Sequence, residues 1–246
     1  MDGQRPDVTV IVAVYNTMPY LTECLESVFG QTIGLDRMEV VAVDDGSTDG
    51  GSDELDRWAE RYPDNMTVVH QPNSGGPAQP SNLALGLATG RYVFFLGADD
   101  RLGPEALERL VTAADELEAD IVLGRLVGVG GRRVNQSVFR QGNLDDITLA
   151  DSPLAWALSN TKLFRRSLLE EHGIRYPEEL ASCSDQPFTM QAIVNARRIA
   201  VRADYEYYYA IRRDDSSNIT FRTSLSRFLH DTAAVMDAAA DLITDP

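Results

Sequence analysis

Short apolar runs and amphipathic segments alternate along the amino-terminal part of the chain. Residues 8–14 form a continuous apolar run rich in valine, which is typical of a strand buried on both faces of a parallel sheet. Apolar residues then recur at helical spacing, with Leu21, Cys24, Leu25 and Val28 on one face. The alternation predicts strands over residues 8–14, 38–43, 67–70 and 91–96, and helices over residues 19–31, 52–62 and 81–89.

This order of elements predicts an α/β fold, a Rossmann-like, doubly wound and mostly parallel sheet with helices on both faces. Ligands of such sheets bind beyond the carboxyl ends of the strands. Polar residues follow the predicted strands at those ends: Tyr15 and Asn16 after the first, Asp45 after the second, and Asp99 and Asp100 after the fourth. We therefore expect a ligand site at this edge of the sheet.

A different pattern begins after Pro104. Apolar spacing predicts helices over residues 104–119, 163–172 and 184–195 and strands over residues 120–126 and 200–209. Residues 127–150 are glycine-rich and polar, which indicates a loop or hairpin, and residues 212–220 form a polar loop. From Ser224 onward, apolar residues at amphipathic spacing predict a last helix over residues 223–246.

The chain is strongly acidic, with a net charge of -16 from 22 basic and 38 acidic residues, and all but one of the basic residues are arginine. Such a surface repels phosphate backbones, so we expect no nucleic-acid partner. An anionic ligand must then be held in a local pocket, where a metal ion or a few arginines supply positive charge. The two cysteines are too few for a disulfide framework and lack the spacing of metal ligands.

No stretch approaches the roughly 20 apolar residues needed to span a bilayer, so we predict no transmembrane segment. The amino terminus lacks the basic region, apolar run and cleavage site of a secretory signal. We therefore expect a cytoplasmic protein, with the inner face of the membrane as one place of action. Because the chain stops soon after an amphipathic helix, one interpretation is that it is a piece of a longer protein. We expect any oligomer to form through a region beyond residue 246.

Three carboxylate-bearing segments could carry chemistry, and each has a structural alternative. Asp45 could accept a hydrogen bond from an N–H donor such as a nucleobase imide, or it could serve the turn after its strand. Asp99 and Asp100 offer the hard oxygen ligands that suit Mg2+ or Mn2+, or they could belong to a turn and the cap of the next helix. Asp185 stands near a predicted helix start, where it could cap the helix or act as a general base on a hydroxyl group.

Taken together, these segments resemble family 2 glycosyltransferases. The segments VTVIVAVYN, VVAVDDGSTDG, QPNSGGPAQPSNLALGLATGRYVFFLGADD, SDQPF and YYYAIRRDDSSNIT stand in the order typical of that family. The resemblance covers about residues 7–222 and is most specific before Pro104. Within the family, the chain looks most like the bacterial wall teichoic acid, or polyribitol phosphate, N-acetylglucosaminyltransferases.

The resemblance implies a GT-A fold, a UDP-sugar donor, a divalent ion (Mn2+ or Mg2+) and inversion at the anomeric carbon. It also implies a catalytic domain over residues 1–222, with a nucleotide-binding half over residues 1–103 and an acceptor-side half over residues 104–222. The C-terminal helix over residues 223–246 would follow this domain. The acceptor is expected to carry a hydroxyl group, and a cell-wall or surface glycopolymer is one candidate.

Particular residues take roles from the same resemblance. Asp99 stands at the metal position of the family, and Asp185 stands at the position of its catalytic base. Arg212 matches the arginine of a late loop that closes on the diphosphate. The remaining matches belong to the nucleotide-sugar site, with Ala13 and Tyr15 beside the uracil, Asp45 on its imide N–H, Pro72 against the base, and Asn16, Asn73, Ala98 and Asp99 around them.

The chain also departs from the family pattern. Gly97 stands where the first aspartate of the D-x-D motif is expected, and Pro80-Ser81-Asn82 replaces an alanine-arginine-asparagine segment. Ser184 replaces an acid before the predicted base, and Tyr208 stands where relatives carry a histidine. These departures bear on the geometry of the metal site, whereas the metal ligand and the base remain.

We therefore expect an inverting transferase that moves a hexose or N-acetylhexosamine by metal-assisted direct displacement. One alternative is a catalytically degenerate domain that binds nucleotide sugars, which the glycine at position 97 would suit. Another is a nucleotidyltransferase, which would be expected to carry a glycine-rich, basic loop where this chain has Tyr15-Asn16-Thr17-Met18. Arg132 and Arg133 stand in a loop where the acceptor sites of GT-A enzymes form.

Overall fold

The computed structural model describes residues 5–180, 182–214 and 225–242 of the chain. Strands and helices alternate regularly as far as β4, and shorter strands follow. The predicted domain boundary at residue 222 and the end of the YYYAIRRDDSSNIT segment lie outside the described residues. In chain order the elements are β1 (Val8–Val14), α1 (Tyr20–Phe29), β2 (Met38–Asp44), α2 (Gly51–Arg61), β3 (Met66–His70), α3 (Ala78–Leu87), β4 (Tyr92–Phe95), β5 (Arg101–Leu102), α4 (Ala106–Glu116), β6 (Ile121–Gly124), β7 (Leu126–Val129), β8 (Leu163–Arg165), α5 (Arg166–Glu171), α6 (Asp185–Asn195), β9 (Ile199–Arg202), β10 (Tyr208–Ile211) and α7 (Leu225–Leu242).

Two sheets form the framework. The larger sheet has the strand order β3-β2-β1-β4-β8-β6-β9. Its pairs β1–β2, β2–β3, β1–β4 and β6–β9 are parallel, whereas β8 runs antiparallel to both β4 and β6. The smaller sheet has the order β5-β10-β7. The prediction of an α/β fold with a mostly parallel sheet is confirmed.

Apolar side chains cover both faces of the larger sheet, because successive residues of a strand point to opposite faces. Val10 of β1 belongs to a buried cluster that includes Leu25 of α1. Its neighbour Ile11 belongs to a second buried cluster, which includes Ala84 of α3 and Phe188 of α6. Helices therefore pack on each face, as the uninterrupted apolar run of β1 indicates.

The helix predicted over residues 163–172 is wrong in its first turn, because Leu163–Arg165 forms β8 and only α5 is helical. Phe164 is buried in the sheet, opposite Val93 of β4 on one side and Ile121 of β6 on the other. Pairing with strands on both sides outweighs the helical spacing of this short segment. The strands predicted over residues 120–126 and 200–209 are each interrupted, and they correspond to β6 with β7 and to β9 with β10.

The carboxyl ends of β1, β2 and β4 meet at one edge of the larger sheet. Val14 pairs with Asp44 at the ends of β1 and β2, so Tyr15 and Asp45 leave the sheet side by side. In β4, Phe95 lies opposite Ile11 of β1, and the polar segment that begins at Gly97 follows at the same edge. The topology therefore brings together the polar segments on which the sequence prediction rests.

The last helix, α7, packs against α6. Asp231 of α7 is buried, and its Oδ2 accepts hydrogen bonds from the Ser182 backbone N–H at 3.1 Å and the Ser182 hydroxyl at 2.7 Å. Val235 is buried, whereas Met236 is exposed. The apolar side chains predicted at Leu225, Phe228 and Leu229 lie outside what the structure describes. Within the described ranges, no helix combines the length and the apolar character needed to cross a membrane.

Candidate active site

A cavity of about 360 Å³ opens beyond the carboxyl ends of β1, β2 and β4. Its wall consists mainly of the segments that follow these strands and the glycine- and proline-rich segment before α3. Two arginines complete it, Arg132 from the loop after β7 and Arg213 from the segment after β10. We call it the donor cavity, after the role that the sequence analysis predicts for residues of its wall. Seven of the predicted site residues line it, namely Ala13, Tyr15, Asn16, Asp45, Asn73, Ala98 and Asp99.

Asn16 ties the segment after β1 to the segment after β2. Its backbone is left-handed, with φ of 51°, a conformation that asparagine tolerates better than most residues. Its Oδ1 accepts a hydrogen bond from the Thr48 N–H at 2.8 Å, and its own N–H donates to Ser47 Oγ at 3.1 Å. These contacts fix the chain next to Tyr15, whose half-exposed ring lies in the cavity wall.

The adjacent carboxylates after β2 serve different purposes, and Asp44 closes the turn into α2. It accepts hydrogen bonds from the Ser47 N–H at 3.0 Å and from Ser52 Oγ at 2.7 Å, and it lies 3.0 Å from His70 Nδ1. Burial raises the pKa of Asp44, but the hydrogen bonds from Ser47, Ser52 and His70 outweigh burial and keep the pKa below its ordinary value. Asp44 is therefore a structural carboxylate.

Asp45 lines the donor cavity and organises the loop after β3. Its Oδ1 accepts hydrogen bonds from Gln71 Nε2 at 2.6 Å and the Ser74 N–H at 3.0 Å, and its Oδ2 accepts them from Asn73 Nδ2 at 3.2 Å and Ser74 Oγ at 2.9 Å. A carboxylate has about four acceptor positions, so Asp45 anchors this loop. Its contact with a uracil imide stays a prediction. Pro72 is exposed in the same loop and does not line the cavity.

Asp99 lies in the wall of the donor cavity and forms a hydrogen-bonded ion pair with Arg213. The Arg213 Nε donates to Asp99 Oδ2 at 2.7 Å, and its Nη1 donates to the Asn16 carbonyl at 3.2 Å. Arg212, the arginine assigned from the sequence, is exposed and outside the cavity lining. Its backbone N–H continues the pairing of β10 with β7 by donating to the Val129 carbonyl at 3.2 Å. Only the next residue turns toward Asp99.

Asp100 is held by β10. Its Oδ2 accepts a hydrogen bond from the Tyr208 hydroxyl, and its Oδ1 accepts one from the Ile211 N–H at 2.7 Å. Burial and the neighbouring charge of Asp99 raise the pKa of Asp100 to about 7. Gly97 lies against the same carboxylate, and a Cβ at this position would stand 2.7 Å from Asp100 Oδ2. The missing side chain at position 97 is therefore a steric requirement of this arrangement.

Asp185 begins α6, is half-buried and does not line the donor cavity. Burial raises the pKa of Asp185 to about 6, against the opposing effects of Lys162 and of backbone N–H groups that include Asn160. Lys162 lies in the wall of an adjoining cavity, which shares Asp100 and Arg132 with the donor cavity. Asp185 lines neither of these cavities. A raised pKa suits a general base, and this role of Asp185 stays a prediction.

The family model described as Glycosyl transferase family 2 matches residues 9–173, more than half of the chain. The chain belongs to glycosyltransferase family 2. It is 40% identical to the poly(ribitol-phosphate) beta-glucosyltransferase of Bacillus spizizenii over 207 residues, and these residues make up 84% of this chain and 32% of that relative. It is 41% identical over 207 residues to the poly(ribitol-phosphate) beta-N-acetylglucosaminyltransferase TarS of Staphylococcus aureus, which covers 84% of this chain and 36% of TarS.

Solved structures agree with this assignment. The crystal structure of S. aureus TarS 1-349 in complex with UDP-GlcNAc matches this glycosyltransferase with a TM-score of 0.87 and 36% identity, over 97% of this chain and 68% of that one. The predicted GT-A fold is thereby confirmed. The chain spans about a third of the length of the two curated relatives described above.

The described residues of the glycosyltransferase offer few metal ligands of their own. Among them, no group of three or more His, Cys, Asp or Glu side chains is arranged to hold a metal ion. Asp99 supplies a carboxylate in the donor cavity, whereas both oxygens of Asp100 accept hydrogen bonds from β10. Mg2+ is usually held by one or two carboxylates together with phosphate oxygens of a substrate. The residues present fit an ion that Asp99 and a diphosphate hold jointly.

Sequence reasoning does not find every residue of the cavity wall. Arg213 is displaced by one position from the predicted Arg212, and the tandem arginines were the available signal. Arg132, which the sequence indicated only for the acceptor side, lines the donor cavity as well as the adjoining one. Other wall residues that carry no such signal are Thr17, Gly75, Gly76, Pro77 and Pro80.

Proposed function

We propose that this chain is the catalytic unit of an inverting glycosyltransferase that moves a hexose or N-acetylhexosamine from a UDP-sugar to an acceptor hydroxyl group. The donor cavity carries the proposal, because seven predicted nucleotide-sugar residues line it in a chain that is 36% identical to TarS in complex with UDP-GlcNAc. The names of both curated relatives give poly(ribitol phosphate) as acceptor. We therefore propose a polyol-phosphate polymer as the acceptor class. A cytoplasmic reaction at the inner face of the membrane stays a prediction.

In the proposed reaction, the oxygen of an acceptor hydroxyl group bonds to the anomeric carbon while the bond between that carbon and the diphosphate oxygen breaks. The electron pair of the broken bond leaves with UDP, and the hydroxyl proton passes to the Asp185 carboxylate. Attack from the face opposite the diphosphate inverts the anomeric configuration. Positioning of the two substrates and stabilisation of the departing charge supply most of the rate.

Charge on the departing diphosphate is the main electrostatic demand of this reaction. Arg213 brings a guanidinium group into the donor cavity, between Asp99 and the Asn16 carbonyl. Mn2+ or Mg2+ held through Asp99 would neutralise further negative charge on the diphosphate. The ring of Tyr15, 46% exposed in the same wall, offers a flat apolar surface for the uracil.

Donor binding is the first test. Calorimetric titration of the chain with UDP-GlcNAc and UDP-glucose, each with and without Mn2+, separates the donor sugar from the metal dependence. The proposal expects saturable binding of at least one UDP-sugar, and stronger binding when Mn2+ is present. A chain that binds neither UDP-sugar under any of these conditions contradicts the proposal.

Replacement of the proposed base is the second test. Asp185→Asn should bind UDP like the wild type, while transfer falls by at least about a hundredfold, because general-base catalysis contributes that much. Asp64→Asn is the matched control, since Asp64 is exposed in the turn before the amino end of β3. It should leave both quantities unchanged. Transfer by Asp185→Asn at the wild-type rate would remove Asp185 from the mechanism.

The two alternatives from the sequence make different expectations. A degenerate binding domain would bind UDP-sugars but would neither hydrolyse them nor transfer the sugar, so donor hydrolysis with Mn2+ and no acceptor distinguishes it. Membership in glycosyltransferase family 2 argues against a nucleotidyltransferase. Release of UDP, and not of pyrophosphate, in the same assay separates these two chemistries.

A further inference from the structure

A second cavity, of about 250 Å³, adjoins the donor cavity and shares Asp100 and Arg132 with it. Three of its wall residues carry cationic side chains, namely Arg132, Arg133 and Lys162. Asp100 is the one acidic residue among the described residues that line it. This excess of positive charge stands in a chain whose net charge is -16. The second cavity is therefore a local exception to the acidic character of the protein.

Lys162 is the most unusual group in this wall. It is the only lysine in the chain, and it is 2% exposed. Its Nζ donates a hydrogen bond to the Ser159 carbonyl, which is one acceptor for an ammonium group with three donors. None of the ion pairs found among the described residues includes it. Burial without an ion pair lowers the pKa of Lys162 to about 7, against the opposing charge of Asp185.

A buried ammonium of this kind is costly unless an anion meets it. The wall around it also suits a ligand that carries hydroxyl groups and carbon surface. Trp156 lies in the same wall with 73% of its surface exposed, and the hydroxyls of Ser159 and Thr161 lie 2.8 Å apart. Arg133 is exposed in the same wall, so that both arginines and Lys162 place cations there.

The segment that carries Lys162 acts electrostatically on the proposed base. The charge of Lys162 and the backbone N–H of Asn160 both oppose the rise in the pKa of Asp185 that burial causes. The Asn160 side chain donates to the Tyr176 hydroxyl at 2.8 Å. A group bound at Lys162 therefore lies next to the segment that supports Asp185. Because the two cavities adjoin at Asp100 and Arg132, an acceptor held in the second cavity would reach toward the donor cavity.

We propose that the second cavity binds a phosphate-bearing segment of the acceptor and that Lys162 contacts the phosphate at its inner end. The inference rests on the proposed function, because it assigns the acceptor to a place in the same site. It explains how a strongly acidic chain could recognise a polyanion, since the cations are gathered in one cavity instead of spread over the surface.

The single lysine allows a direct binding test. Protein labelled with [13C]lysine gives one side-chain methylene signal next to the Lys162 nitrogen, and this signal reports the charge of that group. With UDP present, titration with poly(ribitol phosphate) should shift the signal to saturation, whereas phosphate-free ribitol at equal monomer concentration should not. A signal that does not move with the polymer, although the polymer is glycosylated, overturns the assignment.

Kinetics of Lys162→Met provide a second readout. Loss of one charge-assisted contact should raise the KM for the phosphate-bearing acceptor by about tenfold or more and leave the donor KM within about twofold. Arg140→Met is the control for loss of a cation, because Arg140 is exposed and lines neither cavity. An equal loss of kcat with phosphate-bearing and phosphate-free acceptors would show that Lys162 acts through Asp185 and would overturn the proposal. Absence of transfer by the wild type from every UDP-sugar would instead contradict the proposed function.

Discussion

Replacement of Gly97 tests whether the contacts around this position leave room for any side chain. A Cβ at this position would stand 2.7 Å from Asp100 Oδ2 and 3.1 Å from the Tyr208 hydroxyl. The carboxylate cannot move cheaply, because the Tyr208 hydroxyl and the Ile211 N–H both donate to it. We therefore expect Gly97→Ala to destabilise the fold, although alanine is ordinarily easier to order than glycine.

The magnitude follows from the cost of one extra carbon in a filled space. Overpacking of this kind costs about 1–3 kcal/mol. For a chain of this size, each kcal/mol lowers the unfolding temperature by about 2–4 °C, so Gly97→Ala should unfold about 2–12 °C below the wild type. Gly97→Asp should lose more, because it adds a third carboxylate beside Asp99 and Asp100.

Gly86→Ala is the matched control. Gly86 is exposed inside α3, and a Cβ there would meet nothing within 4 Å. The same substitution should stabilise this helix by about 0.5–1 kcal/mol, because glycine loses more conformational freedom on folding. Thermal unfolding followed by circular dichroism should move the two variants in opposite directions. If the unfolding temperature of both variants rises, the Asp100 carboxylate moves aside at little cost and the steric explanation of Gly97 is wrong.

Three further expectations concern the arginines, the base and α7. Arg213→Ala should weaken UDP binding by about tenfold, whereas Arg212→Ala, outside the donor cavity, should change it less than about twofold by calorimetry. The pKa of Asp185, raised to about 6, predicts that kcat falls as pH drops through 6. The raised pKa also means that the folded state prefers protonated Asp185, so the gain in unfolding temperature of Asp185→Asn over wild type should be largest above pH 7 and vanish near pH 4. Asp231→Ala removes the hydrogen-bond acceptor of Ser182, so both the rate of transfer and the unfolding temperature should fall while UDP binding stays unchanged. The control Asp237→Ala, at an exposed position of the same helix, should change none of these quantities.

The sheet and its polar edge could be predicted from the sequence, because the pattern of apolar residues identifies the strands and the parallel topology brings their carboxyl ends together. An apolar strand such as β1 is buried whatever its neighbours are, and parallel strands place Tyr15, Asp45 and Asp99 at one edge by topology alone. Segments whose fate depends on partners were less predictable. Leu163–Arg165 has helical spacing but is a strand, because β4 and β6 offer edges on both sides of it.

Side-chain direction was the other limit of the sequence. Arg212 and Arg213 are adjacent and chemically identical, and only the length of the β10 pairing decides which one turns to Asp99. The cationic character of the second cavity was equally hidden, because Lys162 stands 30 positions after Arg132 in the chain and only the fold brings the two residues into one wall. Such choices depend on distances between elements, which periodicity does not contain.

Two departures from the family pattern, at positions 97 and 208, both contact the Asp100 carboxylate. Gly97 replaces an expected aspartate, and Tyr208 replaces an expected histidine, more than a hundred positions later. The Tyr208 hydroxyl accepts a hydrogen bond from the Gly97 N–H at 3.2 Å and donates its own proton to Asp100. A side chain at position 97 would enter the space that this hydroxyl and the Asp100 carboxylate occupy. The Tyr208 hydroxyl therefore occupies space that an acidic side chain at position 97 would need. Since Asp100 lies in the wall shared by both cavities, this pair of changes shapes the boundary at which donor and acceptor would meet.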